Sequence, residues 1–182
     1  GDNNYKGDNN YKGYIVLCDI FHMDVHGSAI PEWRRPWAKL VMDEAILLKP
    51  MFSIEQELYI FDPRTRTPLG FPDSQNIRPQ GIYYCRMGDN NGRALIEKHM
   101  ELCLIAGIKI SGTNADIGPS QWEYKIGPCQ GIEAADHHVV SRYLMDRLAE
   151  SFGVNVSWNP KPILGNWNSS GCHVTYSTTY MR

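Results

Sequence analysis

The segment MFSIEQELYIF, residues 51–61, alternates apolar and polar side chains, and the rest of the chain is read from it. Side chains two apart on a strand point the same way. Phe52, Ile54, Leu58 and Ile60 therefore share one face, interrupted by Gln56, while Ser53, Glu55, Glu57 and Tyr59 share the other. Two further segments repeat the pattern. In 121–126, Gln121, Glu123 and Lys125 oppose Trp122, Tyr124 and Ile126; in 172–178, His173, Thr175 and Ser177 oppose Cys172, Val174 and Tyr176. One such strand is ordinary in an antiparallel sheet with a solvated face. Three strands presenting acids, a histidine and hydroxyls suggest more. Two glutamates at i and i+2 lie about 7 Å apart and repel unless cations lie between them. Carboxylates with one imidazole suit magnesium or manganese rather than a sulfur-rich zinc site. These strands point to a divalent-metal site that handles phosphates.

Around this segment the chain interleaves strands and helices. YIVLCDIF (14–21) reads as a strand and 22–31 as a turn-rich loop. Arg35 to Leu48 reads as a helix that buries Leu40, Ala45 and Leu48 and stops at Pro50. Residues 62–81 form a long Pro/Gly loop, a length often tied to function. A helix over 91–107 is capped by Gly107. A strand-turn-strand follows, closing on a tight Gly127–Pro128 turn. The helix over 133–153 can align Ala135, Val139, Leu144, Leu148 and Phe152 on one face, with Gly153 as its cap. Strand, loop and strand complete the chain, and the class is α+β. Residues 1–13, which open with GDNNYK twice, read as a polar extension.

Composition excludes several functions. Of 182 residues, 42% are hydrophobic and 21% charged, as in an ordinary globular domain, and the net charge of −2 attracts neither nucleic acid nor an anionic membrane. No apolar run approaches the ~20 residues of a membrane span. Cys18, Cys85, Cys103, Cys129 and Cys172 are odd in number and form no CxxC, which fits a reducing compartment, the cytoplasm. His137 and His138 are adjacent on a helix and do not share a face, so one is expected partly buried and the other exposed. His22, His26 and His99 show no partner in sequence; GDNNGR (88–93) does not match a phosphate loop; Lys161 and the Arg34–Arg35 pair read as solvated surface charge.

The segments IEQELY, RPQGIYYC, AGIKISGTNADIGPSQWEYKIGPCQGI, FGVNVSWNPKPILGNWNSSGCHVTYST and the final MR strongly resemble glutamine synthetase of the eukaryotic type, in the family's order, over nearly everything after residue 13. The resemblance implies the end of a β-grasp-like domain over 14–34 and the first half of the catalytic domain over 35–182, a curved antiparallel sheet with flanking helices. It implies ATP- and Mg2+- or Mn2+-dependent ligation of ammonia to glutamate through γ-glutamyl phosphate, in an oligomer of like or related subunits. Glu55 and His173 would hold the metal beside the ATP phosphates; Glu57 and Glu123 would hold the other. Asn166, Trp167, Asn168 and Ser169 would lie in the glutamate-binding loop, and Gln130, Ile132, Thr175 and Ser177 near the nucleotide.

Four positions depart from the family pattern. Gln130 replaces a glutamate read as a third ligand of the second metal, which removes a negative charge and lowers the affinity expected for a hard cation. Ser169 replaces a glycine, Thr175 an asparagine and Arg86 a glycine. In the family the region beyond the equivalent of Arg182 supplies another ligand and the phosphate-binding arginines, so the 182 residues alone are expected to be inactive. Two alternatives stand beside the enzyme: a catalytically degenerate homologue with a structural or regulatory role in an oligomer, and another ATP-dependent guanidino or carboxylate ligase on the same scaffold.

Overall fold

A computed structural model describes residues 13–23, 27–28, 30–71 and 91–182. The alternating segment forms β1 (Met51–Asp62), which lies at the centre of the sheet. One edge of β1 pairs with β4 (Gln121–Gln130) and then with β2 (Thr67–Pro68). The other edge pairs with β6 (Cys172–Ser177) and then with β5 (Asn155–Ser157). β3 (Ile110–Ala115) lies outside β4. Every pairing is antiparallel. With α1 (Arg35–Glu44), α2 (Arg93–Ile105) and α3 (Glu133–Phe152) the described chain is α+β.

The apolar strand faces make the core, as the alternation requires. Leu58, Ile60, Trp122, Tyr124 and Ile126 pack with Leu95, Ile96 and Cys103 of α2 and Met145 of α3. Each large apolar side chain buried this way contributes about 1.5–3 kcal/mol. Gly107 and Gly153 take positive φ of 76° and 65° and end their helices.

Several sequence expectations are corrected. Residues 14–21 form no strand; Phe21 makes a single isolated bridge. The helix from Arg35 ends at Glu44 and a short 3-10 turn follows over Ile46–Leu48, with Leu40 57% and Leu48 40% exposed. Ala38 and Met42 are the α1 residues that face β1, β6 and the start of α3, across an apolar cleft lined by Phe52, Ile54, Ile132 and Val174. The buried line of α3 is Ala134, Ser141, Met145 and Ala149, whereas Ala135, Val139 and Phe152 are exposed. A polar residue inside that line hid it from hydrophobic patterning: Ser141 shares a hydrogen bond with the Tyr124 hydroxyl at 3.0 Å and donates to the His138 carbonyl at 2.8 Å. Gly127–Pro128 is not a turn. Its peptide bond is cis and β4 continues to Gln130, with the extra residue absorbed as a bulge between Phe52 and Ile54. The GDNNYK repeat, Cys85, Arg86, His26 and residues 88–90 lie outside the described residues.

Charged and imidazole groups also find partners that sequence did not show. Arg35 is not free surface charge; it bridges Asp19 at 3.0 Å and Asp136 at 2.8 Å, tying α1 to α3. His99 is fully buried and donates from Nε2 to the Ser141 carbonyl at 2.9 Å. His137 and His138 are both partly buried. His138 Nε2 donates to Gln56 Oε1 at 2.8 Å, which explains the polar residue on the core face of β1. Cys18, Cys103, Cys129 and Cys172 are free thiols, and burial pushes Cys103 up to about 12.

Burial, then the neighbouring Arg142, pulls His138 down from 6.5 to about 4. A group depressed on folding contributes stability that is present above its unfolded value and lost as pH falls toward its folded one. Denaturant unfolding of the wild type should therefore lose stability between pH 6.5 and about 4. His138→Gln, which keeps a donor but cannot ionise, should flatten that part of the curve; an unchanged slope would contradict the assignment.

Candidate functional site

The register of β1 and β4 sets Glu57 directly opposite Glu123, and Glu55 opposite Lys125. β6 sets His173 opposite Glu55 on the other side. The polar face is not simply solvated. Tyr59, Glu57 and Gln121 are buried beneath the segment that leads into β6.

Gln121 is the hub of that covering. It is 1% exposed and its amide is fully used. Nε2 donates to the Ser169 carbonyl at 2.8 Å and to Glu57 Oε2 at 3.2 Å. Oε1 accepts from the Gly118 backbone at 2.9 Å and from Asn168 Nδ2 at 3.0 Å. Glu57 Oε2 also accepts the Gly171 N–H at 2.8 Å, and its Oε1 lies 3.1 Å from His173 Nε2. From the core side Gln56 Nε2 donates to the carbonyls of Glu57 and Gly171, at 2.6 and 3.2 Å. β1 is thereby fastened to the start of β6 on both faces. A Cβ on Gly171 would come within 2.7 Å of His173 Nε2 and 3.2 Å of Glu57 Oε1, so a larger residue there would push the exposed His173 ring away from Glu57.

A third carboxylate completes the group. Asp116 follows β3, and one oxygen from each of Glu57, Asp116 and Glu123 lies within 4.8 Å of the others. Burial, and then the charges of neighbouring carboxylates, raise Asp116 above the usual aspartate range, although the Ile117 N–H opposes this. Burial raises Glu123 as well, with Asn114 opposing and Glu55, Asp116 and Glu57 adding to the rise. Three crowded carboxylates with oxygen donors fit a hard divalent cation, and their charge cost is what such an ion removes.

A family described as glutamine synthetase, catalytic domain, matches residues 34–181. The chain belongs to the glutamine synthetase family. It is 46% identical over 170 residues to the glutamine synthetase of Suillus bovinus, covering 92% of this chain and 47% of that protein. It is 44% identical over 178 residues to a glutamine synthetase cytosolic isozyme of Chlamydomonas reinhardtii, again covering 92% of this chain and 47% of the relative. The chain thus spans about half the length of the curated relatives it matches. A crystal structure described as a novel glutamine synthase homolog shares the fold with a TM-score of 0.63 at 21% identity, covering 85% of this chain and 34% of that one. Among the described residues no helix is long and apolar enough to cross a membrane.

Of the residues named from the glutamine synthetase resemblance, Glu55, Glu57, Glu123 and His173 come together on one sheet face. Gln130 is exposed, and its Cα pairs with that of Met51, six residues along β1 from Glu57. The third acid beside Glu57 and Glu123 is Asp116, which sequence reasoning passed over. The signal was present in GTNAD: Asn114 pairs with Glu123, and Asp116 lies two further along the same hairpin. In the loop, Trp167 is buried against Phe71, with ring centroids 4.9 Å apart, and Asn168 lies near Asp116 Oδ2 at 3.4 Å. Asn166 and Ser169 are exposed. Lys161, read as surface charge, donates its ammonium to the Trp167 carbonyl. Ile132 lines the apolar cleft by α1, Thr175 pairs with Ser53, and Ser177 pairs with Met51.

Carboxylates whose pKa is raised on folding favour the fold at low pH and cost stability as pH rises through the raised value. Asp116→Asn should therefore raise the metal-free Tm at pH 7 by a few degrees and shrink the further rise that Mn2+ gives the wild type. An equal Mn2+ response in both proteins would contradict the grouping. Gly171→Ala should lose the Mn2+ response without a comparable loss of core stability.

Proposed function

We propose that this chain carries the metal-binding half of a glutamine synthetase active site, serving ATP-dependent ligation of ammonia to glutamate through γ-glutamyl phosphate. The observation that carries the reading is the convergence of Glu57, Asp116 and Glu123 beside His173, in a chain 46% identical to a glutamine synthetase. Glu57, Asp116 and Glu123 hold one Mg2+ or Mn2+, and Glu55 with His173 helps hold a second beside the nucleotide phosphates. Divalent ions bound there would neutralise phosphate charge, the main requirement of phosphoryl transfer.

The chain's own residues supply the positioning. Gly171 N–H and Gln121 fix the orientation of the Glu57 carboxylate. Gln121 also ties Asn168 and the Ser169 carbonyl to the same point, which supports the loop around Trp167 as the place for the glutamate substrate. Thr175 and Ser177, further along β6 from His173, extend toward the nucleotide in this reading. Asp116, rather than position 130, supplies the third charge of the trio, so Gln130 does not by itself favour a degenerate, non-catalytic role. A soluble cytoplasmic enzyme acting within an oligomer is the setting that fits these features.

Calorimetric titration with Mn2+ tests the reading. The wild type should bind; Glu57→Gln and Asp116→Asn should each weaken binding about tenfold or more; Gln130→Glu should leave affinity within about twofold. Binding that ignores Glu57 and Asp116 but tightens strongly with Gln130→Glu would overturn it.

A further inference from the structure

Three backbone carbonyls in succession, those of Trp167, Asn168 and Ser169, each accept a hydrogen bond from a different side chain. Lys161 Nζ donates to the Trp167 carbonyl, the Tyr59 hydroxyl to Asn168 at 3.0 Å and Gln121 Nε2 to Ser169 at 2.8 Å. The donors come from three places: the loop after β5, the middle of the sheet in β1, and β4. Tyr59 and Gln121 are 0% and 1% exposed, so bulk water does not compete for either bond. Gly118 makes room for the phenol, because a Cβ there would collide with the Tyr59 hydroxyl. Two amides of the same segment are also engaged: Trp167 N–H donates to the Gly165 carbonyl and Ser170 N–H to the Pro160 carbonyl, both at 2.9 Å. The metal reading gives neither Tyr59 nor Lys161 a task.

We infer that Tyr59 and Lys161 are positioning residues that, with Gln121, fix the backbone of the Trp167–Ser169 segment before a substrate arrives. The inference rests on the proposed reading of this loop as the place for the glutamate substrate. Residues 158–171 form neither helix nor strand, so no ladder fixes their peptide planes. A peptide unit is planar, so a carbonyl held on a fixed donor also fixes the direction of the N–H that follows it. Three held carbonyls therefore orient the N–H groups of residues 168, 169 and 170, and the bond from Ser170 to Pro160 agrees with this. A loop set in this way loses less conformational freedom when a ligand binds. Tyr59 adds a second element. It lies two residues from Glu57 on β1, so its bond to Asn168 ties the loop to the strand that carries the acids. Lys161 supplies the charge-assisted bond, the stronger kind. Its own N–H is held by Asn159 Oδ1 at 2.9 Å, so its arm starts from a fixed turn. Both residues act through the backbone of the loop.

Hydrogen–deuterium exchange of the purified protein tests this, read by NMR at the Trp167 and Ser170 amides and repeated across an L-glutamate titration with Mn2+ present. Tyr59→Phe removes one hydroxyl and keeps the ring; Lys161→Met removes the ammonium and keeps the stem. Exchange at those amides should speed up about fivefold for the neutral bond and about tenfold for the charged one, with the amides of β1 and β4 unchanged. Glutamate should slow the same exchange in the wild type. Each variant should need about fivefold more glutamate for an equal effect, while Mn2+ affinity stays within about twofold. Lys161→Arg, which keeps a charged donor, should restore most of the wild-type behaviour. Exchange that neither variant alters would overturn the inference. So would faster exchange with an unmoved glutamate dependence, the mark of a merely structural bond. A wild-type loop that ignores glutamate would instead remove the substrate reading, and the inference with it.

Discussion

Glu57 and Glu123 face each other across the β1–β4 ladder, a like-charge cross-strand pair that by itself opposes sheet formation. Asp116 adds a third negative group to the same point. The surrounding structure is arranged to tolerate this. The apolar faces of the same two strands bury Leu58, Ile60, Trp122, Tyr124 and Ile126, and that burial outweighs the charge cost on the opposite face. Register is fixed because a slip of one residue would turn those apolar side chains outward. The core therefore holds the acids in place, and the acids hold a charge that a cation can satisfy.

Amide chemistry does the fine placement. Gln121 spends all of its hydrogen-bonding capacity on Glu57, Ser169, Gly118 and Asn168, while Gln56 joins His138 to the Glu57 and Gly171 backbone from the core side. Neither glutamine is charged, so each can be buried without the penalty of an ion, and each fixes two segments distant in sequence. Lys125 works in the opposite sense, by supplying charge at the solvent-accessible end of the face.

The sheet was legible in the sequence because period-two alternation and burial are the same constraint seen twice. Ile54, Leu58 and Ile60, and Trp122, Tyr124 and Ile126, lie where alternation puts them. Residues 14–21 misled because an apolar run does not specify a pairing partner, and the segment forms no ladder. Asp116 needed the β3–β4 hairpin register, which a turn-rich stretch of Gly, Asn and Ser obscures. The buried face of α3 needed Ser141 to be recognised as a core residue, and only its hydrogen bonds to Tyr124 and His138 reveal that.

Anomalous scattering from crystals grown with Mn2+ tests the central claim most directly. The account predicts a manganese peak bounded by carboxylate oxygens of Glu57, Asp116 and Glu123. A peak coordinated by the Gln130 amide, with none among those three acids, would contradict it.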